Sequence, residues 1–209
     1  MPELNMSLVH DTLGPGEFLH LSAPYTAVWP LKVEASYNGC KLSAQTGYLL
    51  DRSGSLGAAC ETVDLIRFTV GQSPVPLAER SCVLMSETVE VHSPVMLLRL
   101  DKVSFPPGAS AWRHVHPGPG FRYLLKGQLR LQPDDHAKTV QAGDSWFEAE
   151  NTPVKATAGN SFAESAFIRL MLLPLKYKGK STINVLSEED RLRERRQTTT
   201  TYFDVPVDF

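Results

Sequence analysis

The segment His114-Val115-His116-Pro117-Gly118-Pro119-Gly120-Phe121-Arg122-Tyr123-Leu124-Leu125-Lys126-Gly127 constrains this chain more than any other. Side chains alternate along an extended strand, so two histidines two residues apart project to one side. A small β-barrel uses that spacing to aim two imidazoles into its interior. A Pro/Gly turn then reverses the chain, and an apolar strand runs to Gly127. Neutral imidazoles on one strand face suit divalent Fe, Mn, Ni, Cu or Zn. The alternative is a barrel-lining pair that hydrogen-bonds a ligand, a water or each other.

A second segment lies one hairpin later. Gly143-Asp144-Ser145-Trp146-Phe147-Glu148 is followed by Ala149-Glu150-Asn151, and Pro153 precedes Val154. Together the two segments resemble the paired motifs of the cupin superfamily. In that family a Gly, about five residues, His-x-His, a Glu and a closing Gly form the first motif. Gly, five residues, Pro-x-Gly, two residues and a third His form the second. Gly108, His114, His116 and Gly127 match the first motif, and Gly143 opens the second. Gly120 stands where the glutamate belongs and Val154 where the third histidine belongs, so two of four usual metal ligands are present. The resemblance spans residues 88 to 175. It implies a double-stranded β-helix, a barrel cavity for a small molecule, pairing into a homodimer, and at His114 and His116 a weakly held divalent metal. Two imidazoles alone hold a metal poorly.

Arg122 shares a strand face with Gly120, the vacated glutamate position. Its guanidinium is therefore expected in the cavity beside the histidines, in room left by the glycine. A cation there opposes a metal: at an effective dielectric of about 20, unit charges 4 Å apart interact by about 4 kcal/mol. The same cation favours a carboxylate, enolate or phenolate held by two hydrogen bonds. Glu148 can replace the missing carboxylate ligand, pair with Arg122, or act as a general base. Asp144, after Gly143 in a turn, is expected to bond its own backbone. Trp146, Phe147, Phe121 and Tyr123 read as barrel filling, with Tyr123 also a candidate general acid.

A formal charge of −2 lacks the basic excess of a nucleic-acid binder, and no apolar run is long enough to span a bilayer. The N-terminus has no basic start followed by an apolar core, so a cytoplasmic protein is expected, with neither nucleic acid nor membrane as partner. Cys40, Cys60 and Cys82 are odd in number and widely spaced, which favours free thiols, read as buried small hydrophobes.

The 209 residues suit one sizeable domain with an extension. Short strands between Gly and Pro turns dominate, so the class is all-β. Residues 1–75 are expected to add strands to the barrel after an irregular lead-in of about 20 residues; the alternative is a degenerate second cupin, although no internal repeat is visible. Glu61 to Val70 reads as a half-buried strand, and Gly71 to Pro76 as a linker. Residues 76–185 form the barrel. Residues 186–209 add a short helix capped by Ser187 and a final strand from Thr198 to Phe203. The expected function is an enzyme of small-molecule metabolism: isomerisation, dehydration or cyclisation of an anionic or enolisable substrate, by proton transfer or Lewis-acid chemistry. His114, His116, Arg122 and Glu148 would carry it. A metal-dependent dioxygenase and a non-catalytic ligand-binding barrel are the alternatives.

Overall fold

The computed structural model describes residues 3–22, 25–50, 52–72, 75–133 and 136–209. Two compact units emerge, Met1–Pro94 with Val207–Phe209, and Val95–Pro206. The first holds β1 (Glu3–Leu13), β2 (Phe18–Leu21), β3 (Tyr25–Pro30), β4 (Ala35–Tyr37), β5 (Cys40–Leu42), β6 (Tyr48–Leu50), β7 (Gly54–Gly57), β8 (Val63–Gly71) and β9 (Ser81–Glu90). They make two sheets, in strand orders β6-β3-β8-β1-β9 and β2-β7-β4-β5. Leu13, Val28, Leu50 and Leu65 of the first sheet and Leu19, Leu21, Leu42 and Leu56 of the second share one buried core.

The second unit holds β10 (Val95–Phe105), β11 (Ser110–Val115), β12 (Gly120–Lys126), β13 (Gln128–Gln132), β14 (Lys138–Gln141), β15 (Ser145–Glu148), β16 (Val154–Ala158), β17 (Ser165–Leu173), β18 (Asn184–Val185), the helix α1 (Glu188–Leu192) and β19 (Thr198–Asp208). Its sheets run β15-β12-β17-β10-β19 and β14-β13-β16-β11-β18. The core draws Val103, Phe105, Leu124, Trp146 and Phe167 from one and Ala111, Leu129, Leu131, Val140 and Ala156 from the other. The plan is that of the first unit repeated. The first, third, sixth and eighth strands of each unit stand in the same order in one of its five-stranded sheets, with the eighth at the centre. Buried on both faces, β8 and β17 read as near-continuous apolar runs rather than alternating ones.

Several expectations are corrected. The lead-in is β1 and β2, not irregular chain. Polar residues broke its alternation, yet Ser7 and Asp11 are buried because they are paired: Ser7 with Ser86 at 3.2 Å, Asp11 with Arg67 at 2.6 Å. Among the described residues, those of 1–75 add no strand to the second unit's sheets, and the first unit runs to Pro94, because β9 pairs with β1 along its length. Within the expected 71–76 linker, Ser73 and Pro74 lie outside the described residues. Leu65 through Val70 are buried on both faces rather than one. The three cysteines are free but exposed. The C-terminal helix forms as expected, with the Ser187 hydroxyl accepting from Asp190 N at 3.0 Å, although Arg193, Arg195 and Arg196 lie beyond its end. Among the described residues no helix is long and apolar enough to cross a membrane.

Candidate active site

The second unit's barrel is apolar at one end and charged at the other. Cross-strand register explains why. Asp101 on β10 lies opposite Arg169 on β17, and Arg169 lies opposite Arg122 on β12. Directly opposed residues share a face, so two guanidiniums and a carboxylate form a row on the inner side. Glu148 on β15 lies opposite Gly120. On β11 a register shift between Ala111 and His114 re-aims the strand, so that Ala111 joins the core and His114 is buried too.

His114 and His116 meet with their Nε2 atoms 3.2 Å apart. The other ring nitrogen of each faces a carbonyl: His114 Nδ1 lies 2.6 Å from Trp112 O, and His116 Nδ1 lies 2.9 Å from Thr182 O. A carbonyl only accepts, so both rings carry their proton on Nδ1 and both Nε2 atoms are lone-pair bases. Burial lowers the pKa of each, and for His116 the lowering is strong. The Arg169 and Arg122 charges push both the same way, and the Glu148 carboxylate partly offsets this at His114. The pair is neutral at neutral pH.

Arg122 is buried where the sequence placed it, but it is occupied. Its Nη2 lies 2.8 Å from Glu148 Oε2, and its Nη1 donates to Gly120 O. Burial pushes its pKa down to about 10, against the pull of Glu148, so it stays charged. The Arg122–Glu148 contact is close but poorly aimed, leaving Arg122 Nη2 and Glu148 Oε2 buried with no hydrogen bond. Glu148 Oε2 lies 3.7 Å from His116 Nε2, and Trp146 Nε1 donates to Glu148 Oε1 at 2.8 Å. Gly120 does not serve to make room for Arg122. A Cβ there would stand 2.3 Å from Leu170 O, so glycine is required by the close passage of β17. Asp144 accepts from Gln141 N at 2.8 Å, as a turn aspartate should. Tyr123, one residue on from Arg122, takes the opposite strand face and lies off the site.

Three residues the sequence reading passed over complete the site. Arg169 directs Nε and Nη2 to Asp101 Oδ2, at 3.1 and 2.9 Å, and brings Nη1 to 3.4 Å from His116 Nε2. Asp101 also accepts from Thr201 Oγ1 at 2.7 Å. Thr182 belongs to a strap, residues 174–185, that leaves β17 and returns along β11 as β18. Arg99 and Asp204 hold the strap's base: Arg99 donates to Tyr177 O and Lys180 O, and Asp204 accepts from Gly179 N. A cavity of about 480 Å³ lies beneath the strap, lined by Arg169, Asp101, Thr182 and Thr201 among others. The first unit has a cavity of about 550 Å³ beside Lys32, Lys41 and Cys60, but its charged residues are exposed and Lys41 is already paired with Glu34.

The donor set does not suit a tightly held metal. The two Nε2 lone pairs converge, but Val154 faces His114 across the strand pair where a third imidazole would be needed. Glu148 Oε1 accepts from Trp146 and Oε2 lies against the Arg122 guanidinium, and Arg169 stands against His116 Nε2. Among the described residues no three His, Cys, Asp or Glu side chains stand so that they could hold an ion. The two buried guanidiniums that oppose a proton on the imidazoles would oppose a divalent ion twice as strongly.

Comparison with known proteins follows this geometry. The Cupin domain family matches residues 102–160. No curated protein sequence matches the chain. Among solved structures, AerE from Microcystis aeruginosa is similar at a TM-score of 0.58 and 14% identity, covering 80% of this chain and 88% of that one. A cupin 2 conserved barrel domain protein from Leptotrichia buccalis reaches 0.54 at 18%, covering 80% and 84%. A deletion mutant of Bacillus subtilis oxalate decarboxylase OxdC reaches 0.56 at 14%, covering 81% and 69%. At these identities the likeness establishes the fold. The match to the Cupin domain is confined to residues 102–160, from β10 to just past β16, and the barrel neighbours share the fold.

Proposed function

We propose that this protein is an enzyme of small-molecule chemistry in which the His114–His116 pair moves a proton on an anionic, enolisable substrate. The observation that carries this is the convergence of His116 Nε2, Glu148 Oε2 and Arg122 Nη2, all buried, with an acceptor and a donor left unsatisfied. Buried polar groups without partners are costly, and a bound carboxyl, carbonyl or hydroxyl would satisfy them. The name of one neighbour, oxalate decarboxylase, points to a carboxylate as well.

In this reading a neutral imidazole takes a proton from carbon or oxygen of the substrate. The pair can share one proton, because Nε2–H of one ring can donate to Nε2 of the other. A second proton would set two cations 3.2 Å apart. The two guanidiniums stabilise negative charge that develops on the substrate as the proton leaves. Isomerisation, dehydration and cyclisation all need these two services.

The test is proton exchange. Wild-type protein, after elemental analysis for metal, is incubated with enolisable keto acids in deuterium oxide, and loss of the acidic C–H signal is followed by NMR. Exchange above buffer that disappears in His116→Ala supports the reading. If carboxylates bind but no C–H exchanges, the barrel is a binding module. Exchange that tracks bound metal transfers the chemistry to a Lewis acid.

A further inference from the structure

We propose that ligands reach the histidine pair through the cavity beneath the 174–185 strap, and that Arg169 is the residue that ties a small hydroxylated carboxylate to it. The inference rests on the acid–base reading of the pair and adds the route, the anion-holding residue and the ligand class.

Arg122 was the residue expected to hold an anion, but it does not line this cavity. It is 1% exposed and lies against Glu148. Arg169 is buried as well, but it lines the cavity. Two cavity residues touch His116: Arg169 through Nη1, and Thr182 through its carbonyl. Neither histidine lines the cavity, so Arg169 and Thr182 are the wall that joins it to the imidazole.

The donors of Arg169 are unevenly used. Nε and Nη2 are fixed by Asp101, which orients the guanidinium. Nη1 has only the 3.4 Å contact to His116, long for a hydrogen bond. It is the donor a carboxylate would capture, at a point beside the base. A volume of about 480 Å³ suits a small molecule. The ionic lining is Arg99, Arg169 and Lys180 against Asp101 and Asp204, an excess of one positive charge that matches a monoanion. Hydroxyls of Ser181, Thr182, Thr199 and Thr201 complete the wall, and a ligand with its own hydroxyl or keto oxygen would bond to them.

The strap is suited to admit such a ligand. Of residues 175–184 only Thr182 is buried. It is pinned at its base by Arg99 and Asp204 and at its far end by pairing with β11, so the turn around Gly179 to Ser181 is what covers the cavity.

Malate and pyruvate are the probes. Each is titrated into full-length protein, with calorimetry reporting affinity and NMR of the imidazole rings reporting proximity. Binding to wild type should shift the ring resonances of His114 and His116. Ser181→Trp, and independently Thr199→Trp from the opposite wall, should weaken binding at least about tenfold with the unfolding temperature unchanged. Arg169→Lys, which keeps the charge and loses the fork, should weaken it by a similar factor. Undiminished binding in both tryptophan variants would overturn the route, while the acid–base reading would survive if the rings still respond. Binding that is lost in those variants but never moves the rings would keep the cavity as the anion site and remove the proton-transfer reading. Failure of both probes to bind wild type would overturn the ligand class.

Discussion

Replacing Arg122 by leucine tests the charged end of the barrel most directly. Arg122 is fully buried, and its charge is balanced by Glu148, whose side chain is 12% exposed. Leucine preserves the aliphatic stem but strands the carboxylate beside Trp146 and His116. Leaving one partner of a buried pair uncompensated costs about 3–5 kcal/mol. Glu148 keeps a bond from Trp146 Nε1 and some contact with solvent, so about 3 kcal/mol is expected. For a chain of this size that lowers the midpoint of thermal unfolding by about 6–12 °C. The double variant Arg122→Leu/Glu148→Gln removes the stranded charge and should regain about 2 kcal/mol, a coupling that two independent sites would not show. Urea unfolding followed by tryptophan fluorescence measures all four corners of the cycle, since Trp146 touches Glu148. If Arg122→Leu costs under about 1 kcal/mol, as an exposed pair would, or if the two substitutions simply add, the buried pair described above is wrong.

Gly120→Glu, which restores the family's carboxylate on paper, should fail to fold and recover no metal binding, because a Cβ there meets Leu170 O at 2.3 Å; chelator-resistant metal at one per chain in that variant would refute this. Both imidazoles should show Nδ1–H tautomers at neutral pH in long-range proton–nitrogen spectra, and Nε2–H on either would contradict the carbonyl contacts. Both folded pKa values lie below the unfolded value of about 6.5. The unfolded chain therefore binds more protons below that pH, and stability should fall as pH drops through about 6 by up to about 1.4 kcal/mol per pH unit per histidine. Alanine at both histidines should flatten that slope. Native protein should react with a thiol reagent at all three exposed cysteines without denaturant, and protection of any of them would overturn the exposure assigned here.

The barrel around His114 was legible because its motif fixes turns and spacing as well as ligands. Gly127 and Gly143 adopt positive φ, and Asp144 closes its own turn, so local chemistry and tertiary structure agree there. The first unit was not legible, because it has no His-x-His pair and because buried polar residues disguise its first strand. Asp11 and Ser7 look like solvent positions until Arg67 and Ser86 are found bonded to them from the neighbouring strands. Period-two alternation identifies strands with one wet face, and it misreads a central strand such as β8, which has none.

One sequence signal does reach both the repeat and the missing half of the site. A lone arginine sits within an apolar run twice: Leu65-Ile66-Arg67-Phe68 on β8 and Phe167-Ile168-Arg169-Leu170 on β17. A cation in the central strand of a barrel must find a carboxylate, since an unpaired buried charge is among the costliest features a fold can carry. Each does, and on the corresponding strand. Arg67 holds Asp11 of β1, diagonally across the pair, and Arg169 holds Asp101 of β10, directly across it. The ion pair therefore belongs to the barrel plan rather than to one site, and the two units differ in what surrounds it. In the first, Arg67 Nη1 is buried among β-strand residues with no hydrogen-bond partner. In the second, the strap, its cavity and two imidazoles are built against the same pair. The proposed anion site needs no change to the pair itself, so Arg169→Lys, which keeps the buried charge beside Asp101, should cost binding more than stability.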